Sequence, residues 1–487
     1  MKAVRQAVID IGSNTVRLVV YAGLPRAPMP IYNEKSRVKL GACLAGDGVI
    51  DKATMKKALA ALARFETLAR AMKVDTMRVV ATAATREAKN GGELVEKAAA
   101  LGIRVDVLDG DAEATAAGLG ILSDNPHANG YVGDLGGGSL ELIRIADGKL
   151  GRRVSLPLGT LRHDILNGKT TKQITQMLRD DIAGAMGKTD FPIETGLPFY
   201  MIGGSWRTFA RLHMHHTGYP LTILSNYEMP ADAPEMMMAV VNDKDALNRS
   251  NVLAAGRISA LPGANALLAG IVGLLKPCKL VTSIYGLREG LLFEQLTPAE
   301  RQQDPLIAAA RFEGERLGRF PFHGDALAQW IAPVFAGQSP DDARLCRAAC
   351  LLSDSVWNVN PEYRADHALD LALDGSWPGV NASDRAVIAA ALWTVHAGKR
   401  TLPEMLTALA KPGALAQAVI WGLAIRLAHR LDGGTGGALA DSRIDGDGAT
   451  LRLHLSGSAI RLQSNSVQRR LQALGEALGY KQSEITG

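Results

Sequence analysis

The chain has 487 residues, 47% hydrophobic and 21% charged, the balance of a folded protein too long for one core; two to four domains are expected. Its net charge is +5, and residues 301–487 hold 19 basic and 19 acidic side chains, so the excess lies in the first 300 and no polybasic arm points to nucleic acid. No apolar run reaches the ~18 residues of a membrane span, no secretory leader is evident, and Cys43, Cys278, Cys346 and Cys350 do not make a disulfide framework; together these predict a cytoplasmic protein with no integral membrane segment.

In chain order, Val8–Asp10 and Val16–Tyr21 are β-branched runs around a glycine turn and read as a hairpin. Lys52–Met72 has helix formers at helical spacing, Met77–Ala81 is a short strand, Glu93–Leu101 a helix and Val105–Leu108 a strand. Ala112–Leu122 reads as a helix, and Gly130–Ile145 opens a second strand–turn–strand. Residues 301–445 turn to alanine- and leucine-rich helical patterns without strands. The glycine-rich stretch 431–448 reads as a linker before two short strands, 449–456 and 458–463, and a helix at Ser466–Leu478. The expected domains are 1–125, 126–300, 301–445 and 446–487.

An internal repeat is the most informative pattern. Residues 8–20 (VIDIGSNTVRLVV) and 132–144 (VGDLGGGSLELIR) superpose at an offset of 124, with Asp10 on Asp134, Gly12 on Gly136 and Asn14 on Gly138. A single duplication so far apart predicts two related α/β domains facing each other across a cleft. Each would present one carboxylate and one glycine turn. Bare peptide N–H groups in such turns can nest a phosphate, and the aspartates can hold a hard cation through oxygen. Gly12, Ser13 and Asn14 form the first loop; Gly136, Gly137, Gly138 and Ser139 form the second. A third loop, Gly203-Gly204-Ser205, follows a strand and is a weaker signal.

Two further residues stand beside these loops. Arg86, just after a strand, has the fork to clamp phosphate or is a solvated helix-end charge. Glu113, in the first turn of a helix, either complements the helix dipole or orients and deprotonates a water. The chemistry of the residues leaves both choices open. Less specific are His213, His215 and His216, read as a solvated cluster, and Cys346 and Cys350, read as buried small hydrophobes.

DIGSNTVRLVV, TAATREA, DGDAEA, GDLGGGSLEL, SLPLGTLR and GLREGLLFE, in that order and spacing, resemble the exopolyphosphatase/guanosine pentaphosphate phosphatase family across residues 8 to 295. The resemblance implies an α/β fold of two actin-like (ribonuclease H-like) domains, then an all-α domain like HD phosphohydrolases and a small α+β C-terminal segment. It implies Glu113 as the catalytic base and Arg86 as the phosphate clamp. Asp134 and Glu141, with Asp10 facing them, become the acids associated with Mg2+ or Mn2+, and Gly204 and Ser205 join the phosphate loops. Arg17, Arg152, Arg153 and Arg207 are candidates for the trailing phosphates. Trp206 counts against a nucleotide base at the third loop. Ser353-Asp354 stands where an HD pair would, so no HD metal site is expected.

The implied activity is release of terminal orthophosphate from inorganic polyphosphate, with hydrolysis of guanosine pentaphosphate (pppGpp), a stringent-response nucleotide, as the alternative. A homodimer is implied as well. A sugar or carboxylate kinase of the same fold and a non-enzymatic polyanion sensor are the rivals; the retained acids Asp10, Glu113, Asp134 and Glu141 weigh against the sensor.

Overall fold

The computed structural model describes residues 4–45, 47–186, 190–243, 245, 247, 253, 255–320, 322–398 and 401–487. Contacts divide the chain into Met1–Pro305 and Leu306–Gly487.

The first unit holds two mixed sheets among its described residues. One runs from β1 (Val4–Ile11) and β2 (Thr15–Leu24) through β3 (Ala27–Arg37) to β4 (Thr76–Ala81) and β5 (Asp106–Val107), in spatial order β3-β2-β1-β4-β5. The strand β3 was not anticipated, because APMPIYNEKSR carries two prolines and alternates exposed positions, the habit of an edge strand. Helix α1 (Lys52–Ala71) lays Met55, Ala58, Leu62 and Phe65 on the sheet; its N-cap Asp51 accepts from the Ala53 and Thr54 amides. Short α2 (Ala83–Glu87) and α3 (Gly91–Ala100) follow β4.

Helix α4 (Gly110–Asp124), capped by Asp109, leads into the second sheet. That sheet comprises β6 (Gly130–Leu135), β7 (Leu140–Ala146), β8 (Lys149–Leu156), β9 (Phe199–Ile202), β10 (Glu228–Pro230) and β11 (Lys279–Thr282), in the order β10-β11-β9-β6-β7-β8. Its large core gathers Tyr131, Leu142, Phe199, Met201, Trp206 and Phe209 with residues of α5 (Thr171–Met186), α6 (Gly204–His216) and α7 (Leu261–Leu275).

Helices α4 and α8 (Leu287–Glu294) lie between the sheets, where Leu291 and Leu292 meet Val8, Val80, Leu108 and Ala116. They cross so closely that a Cβ on Gly290 would stand 1.7 Å from the Ala116 carbonyl oxygen, so only glycine fits there. This crossing carries Arg288 and Glu289 to the site described below.

The second unit is helical from α9 (Pro305–Leu317) through α10 (His323–Ile331), α11 (Pro340–Leu352), α12 (Arg364–Asp374), α13 (Ala382–Ala397) and α14 (Pro412–Asp432). A three-stranded sheet follows, β12 (Ser442–Asp447), β13 (Thr450–Leu455) and β14 (Gln482–Thr486), with α15 (Asn465–Leu478) against it. Two expectations are corrected here. The supposed linker 431–448 contains the end of α14, a short helix Gly437–Ala440 and strand β12. The expected strand 458–463 is a 3-10 turn, Gly457–Leu462: Gly457 takes φ +52 and Ser456 bonds to Asp441, turning the chain, and β14 becomes the partner of β13 instead. Among the described residues no helix is long and apolar enough to cross a membrane.

Candidate functional site

The duplicated hairpins have the same local architecture. Asp10 pairs with Arg17 across β1 and β2, and Asp134 pairs with Glu141 across β6 and β7. Each loop is closed by the same backbone bond, Gly12 N to Thr15 O at 3.0 Å and Gly136 N to Ser139 O at 3.0 Å. The two tips meet: a Cβ on Gly137 would stand 2.9 Å from the Ser13 Cβ. Strands β4 and β9 run parallel to β1 and β6 at equivalent places, so Thr82 and the Gly203–Ser205 loop emerge beside them.

The resulting cleft is lined by Asp10, Gly12–Asn14, Arg17, Thr82, Glu113, Asp134, Gly136–Ser139, Glu141, Thr160, Gly203–Ser205, Arg207, Arg257 and Arg288. The structure thus gathers Asp10, Glu113, Asp134, Glu141 and the three glycine loops. Arg86 stands just behind Glu113, with Nη1 donating to the Leu108 carbonyl at 2.7 Å and to Glu113 Oε2 at 3.2 Å. Arg152 and Arg153 are not among the lining residues. Edge strand β8 leaves Arg152 exposed and commits Arg153 to Asp111 at 2.6 Å. Trp206 does not face the cleft either: it is fully buried, donating from Nε1 to the Ala264 carbonyl at 3.1 Å. Its bulk therefore does not count against a ligand at the third loop.

Four cleft residues, Thr82, Thr160, Arg257 and Arg288, escaped the sequence reading. Arg288 sits in the quoted GLREGLLFE stretch, with Nη1 4.0 Å from Asp10 Oδ2. Its neighbour Glu289 is fixed by Tyr21 Oη–H and by the Gly286 amide at 2.9 Å. Arg257 lies over Gly204, where a Cβ would be 2.5 Å from its Nη1; nothing in AAGRISALPG marks it. Thr160 is held by its own amide, bonded to the Gly136 carbonyl at 3.0 Å.

Burial dominates the electrostatics. Glu113, 7% exposed, is raised to about 7 by burial, against the pull of Arg86 and with a push from Asp134. Burial lifts Asp134 to about 6, Arg207 opposing, and raises Asp10 despite Arg288 and Arg17. Glu141, 1% exposed, goes well above the carboxylate range through burial and the charges of Glu113 and Asp134; Ser155 Oγ–H donates to it at 2.9 Å. On the cationic side, burial lowers Arg207 to about 10. Buried Arg288 is carried upward by Glu289, Tyr21 and Asp10.

Such a set suits Mg2+ in one manner. Among the described residues, no three acidic, histidine or cysteine side chains converge as a metal cage. Mg2+ commonly takes one or two carboxylates and completes its shell with water and substrate phosphate, and destabilised carboxylates beside glycine amides offer those terms.

Elsewhere, His213 is buried with Nδ1 2.8 Å from Tyr227 Oη, while His215 and His216 are exposed. Cys346 and Cys350 are buried free thiols. At the expected HD position, Ser353 Oγ lies 2.9 Å from His429 Nε2 and Asp354 is held by Arg319 at 2.6 Å.

Paired sheets with duplicated loop-bearing hairpins and helices between them define an α/β fold of the actin-like class. The model of the Ppx/GppA phosphatase family matches residues 19–299, and that of the exopolyphosphatase C-terminal domain matches residues 306–485. The chain belongs to the Ppx/GppA phosphatase family. It is 29% identical over 220 residues to exopolyphosphatase 1 of Mycobacterium leprae, covering 43% of this chain and 64% of that protein. It is 31% identical over 143 residues to the guanosine-5'-triphosphate,3'-diphosphate pyrophosphatase of Vibrio cholerae, 28% of each chain. The chain thus spans less than two thirds of the length of these relatives. Among solved structures, the Aquifex aeolicus Ppx/GppA family member matches with a TM-score of 0.53 at 22% identity, over 62% of this chain and all of that one. An exopolyphosphatase from Cytophaga hutchinsonii matches with a TM-score of 0.53 at 21% identity, over 60% of this chain and 99% of its own. These likenesses establish the fold.

Proposed function

We propose that the protein is a phosphoanhydride hydrolase that releases terminal orthophosphate from inorganic polyphosphate. The observation that carries the reading is Glu113, nearly buried and held by Arg86, at a cleft where two glycine loops touch.

In this scheme the chain end of polyphosphate enters between the hairpins, and the amides of Gly12–Asn14 and Gly136–Ser139 receive the phosphoryl oxygens. Glu113 orients a water and takes its proton as oxygen attacks phosphorus; the bond to the bridging oxygen breaks, and the shortened chain leaves with the negative charge. Arg86 fixes the Glu113 carboxylate and adds positive charge beside the reacting group. One or two of Asp10, Asp134 and Glu141 would hold Mg2+ or Mn2+, which when bound would supply charge neutralisation for the phosphoryl oxygens, with water and substrate phosphate completing the shell. Fixed donors and cations aimed at those oxygens carry most of the catalysis in such transfers. Arg17, Arg207 and Arg288 would receive the trailing phosphates.

Hydrolysis of the 5'-terminal phosphate of guanosine pentaphosphate is the second reading. Trp206 is turned into the core, so its bulk does not oppose a base at the third loop, where Arg257 lies over Gly204. The family resemblance adds a cytoplasmic homodimer to either reading.

Phosphate release from polyphosphates of graded length and from guanosine pentaphosphate, with and without Mg2+, tests the proposal. Mg2+-dependent release from polyphosphate is expected. Release from guanosine pentaphosphate alone selects the second reading, and release from neither refutes both.

A further inference from the structure

The segment Ser155–Arg162 has no part in that scheme, yet it touches everything around it. The Thr160 and Leu161 amides donate to the Gly136 and Gly137 carbonyls at 3.0 and 2.8 Å, bracing the second glycine loop from behind. Arg162, at its end, reaches from the second lobe of the cleft to the first, where its Nη2 binds Glu87 Oε2.

Glu87 directly follows Arg86. Its other oxygen, Oε1, stands 4.0 Å from Arg86 Nη2, while Arg86 Nη1 serves Leu108 and Glu113. Two carboxylates therefore flank one guanidinium. Glu113 is at hydrogen-bond distance, Glu87 is beyond it, and Arg162 is the cation that draws Glu87 the other way. The side chains of Arg86, Glu87 and Arg162 are only 25%, 37% and 25% exposed, so solvent screens this competition incompletely.

We propose that Arg162 is a positioning residue: by holding Glu87 it leaves Arg86 to Glu113 and to the phosphoryl group. Without it, Glu87 swings onto the free Nη2, draws the guanidinium off Glu113 and cancels its charge. The proposal rests on the reading above for its substrate alone.

The test is a double-mutant comparison in the full chain. On whichever of tripolyphosphate or guanosine pentaphosphate the wild type cleaves, Arg162→Ala should lower kcat/KM about tenfold, the weight of one misdirected charged hydrogen bond. Glu87→Gln should stay within about twofold of wild type, since a neutral amide does not compete for Arg86. Arg162→Ala/Glu87→Gln should recover to within about twofold of Glu87→Gln, and Arg162→Lys should fall between wild type and alanine. A double variant as slow as Arg162→Ala overturns the proposal, because Glu87 would then not be what occupies Arg86. So does Arg162→Ala at the wild-type rate. If melting shows Arg162→Ala unfolded, Arg162→Lys with and without Glu87→Gln makes the same comparison. If the wild type cleaves neither substrate, the hydrolase reading fails, and the same ranking is read from tripolyphosphate binding by calorimetry; equal affinities then overturn this proposal too.

Discussion

Replacing Glu113 by glutamine separates the two sides of its chemistry. The carboxyl lies 7% exposed in the first turn of α4, and burial has moved it from the ordinary 4.5 to about 7, although Arg86 opposes the shift. At about 1.4 kcal/mol per tenfold in proton affinity, the ionised side chain is roughly 3 kcal/mol unfavourable to fold. The sign follows directly. The folded state binds this proton more tightly than the unfolded one, so stability is full below 4.5 and declines as pH rises to about 7, beyond which the loss is complete.

Glutamine is neutral throughout and keeps an oxygen for Arg86. Glu113→Gln should therefore match wild type at pH 4.5 and exceed it by about 3 kcal/mol at pH 8.5. Turnover should fall by about 10²–10⁴, the usual contribution of a positioned base, with tripolyphosphate binding retained. Denaturant unfolding of the cleft-bearing unit at the two pH values, with phosphate release at pH 8.5, measures both effects. A variant less stable than wild type at pH 8.5 would show that the buried carboxylate is not under strain. Near-normal phosphate release would remove Glu113 from the mechanism.

Three shorter predictions follow from the same structure. The wild-type rate should drop as pH falls through about 7, where Glu113 takes up its proton, and Glu113→Gln should lose that limb. In the helical unit, burial lowers His429 to about 3 and His396 to about 4, and His323 is lowered too. These rings stay neutral while the unfolded chain takes up protons below about 6.5, so the unit should lose about 1.4 kcal/mol per histidine per pH unit of acidification, and a glutamine at position 429 should lessen the slope of urea midpoint against pH. Gly159→Ala would place a Cβ 2.3 Å from the Gly137 carbonyl oxygen. It should cut kcat/KM at least tenfold by displacing the second glycine loop, with no ligand-facing side chain changed; unaltered kinetics would mean that loop does not set the rate.

The sequence announced the hairpins because a β-branched run, an aspartate and a glycine turn recur at one offset, and the fold keeps that offset in its hydrogen bonds. The place of Glu113 in the first turn of a helix after a strand was legible, but its role as a base came only from the family resemblance, because a first-turn glutamate also suits the helix dipole. Strand β3 was not, since two prolines hide an edge strand from any propensity argument. Arg257 and Arg288 were hidden for another reason. Arg288 meets Asp10 from 278 residues further along the chain and Arg257 meets Gly204 from 53, and a local pattern carries no trace of such distant partners. Arg152 and Arg153 were the converse error: adjacent cations look like a track, but on a strand neighbours point to opposite faces, and one of these meets Asp111.

The duplication is also imperfect in a way that matters. At the same offset that sets Asp10 on Asp134, Arg17 falls on Glu141. The first hairpin thus pairs its aspartate with a cation, and the second pairs its aspartate with another acid. Burial, with the charges of Glu113 and Asp134, therefore raises the proton affinity of Glu141 on one side, while Arg17, Arg207 and Arg288 crowd together on the other. Two identical lobes would place like beside like across the cleft. The acid-for-base exchange between the repeats instead sets a cation beside one aspartate and an acid beside the other.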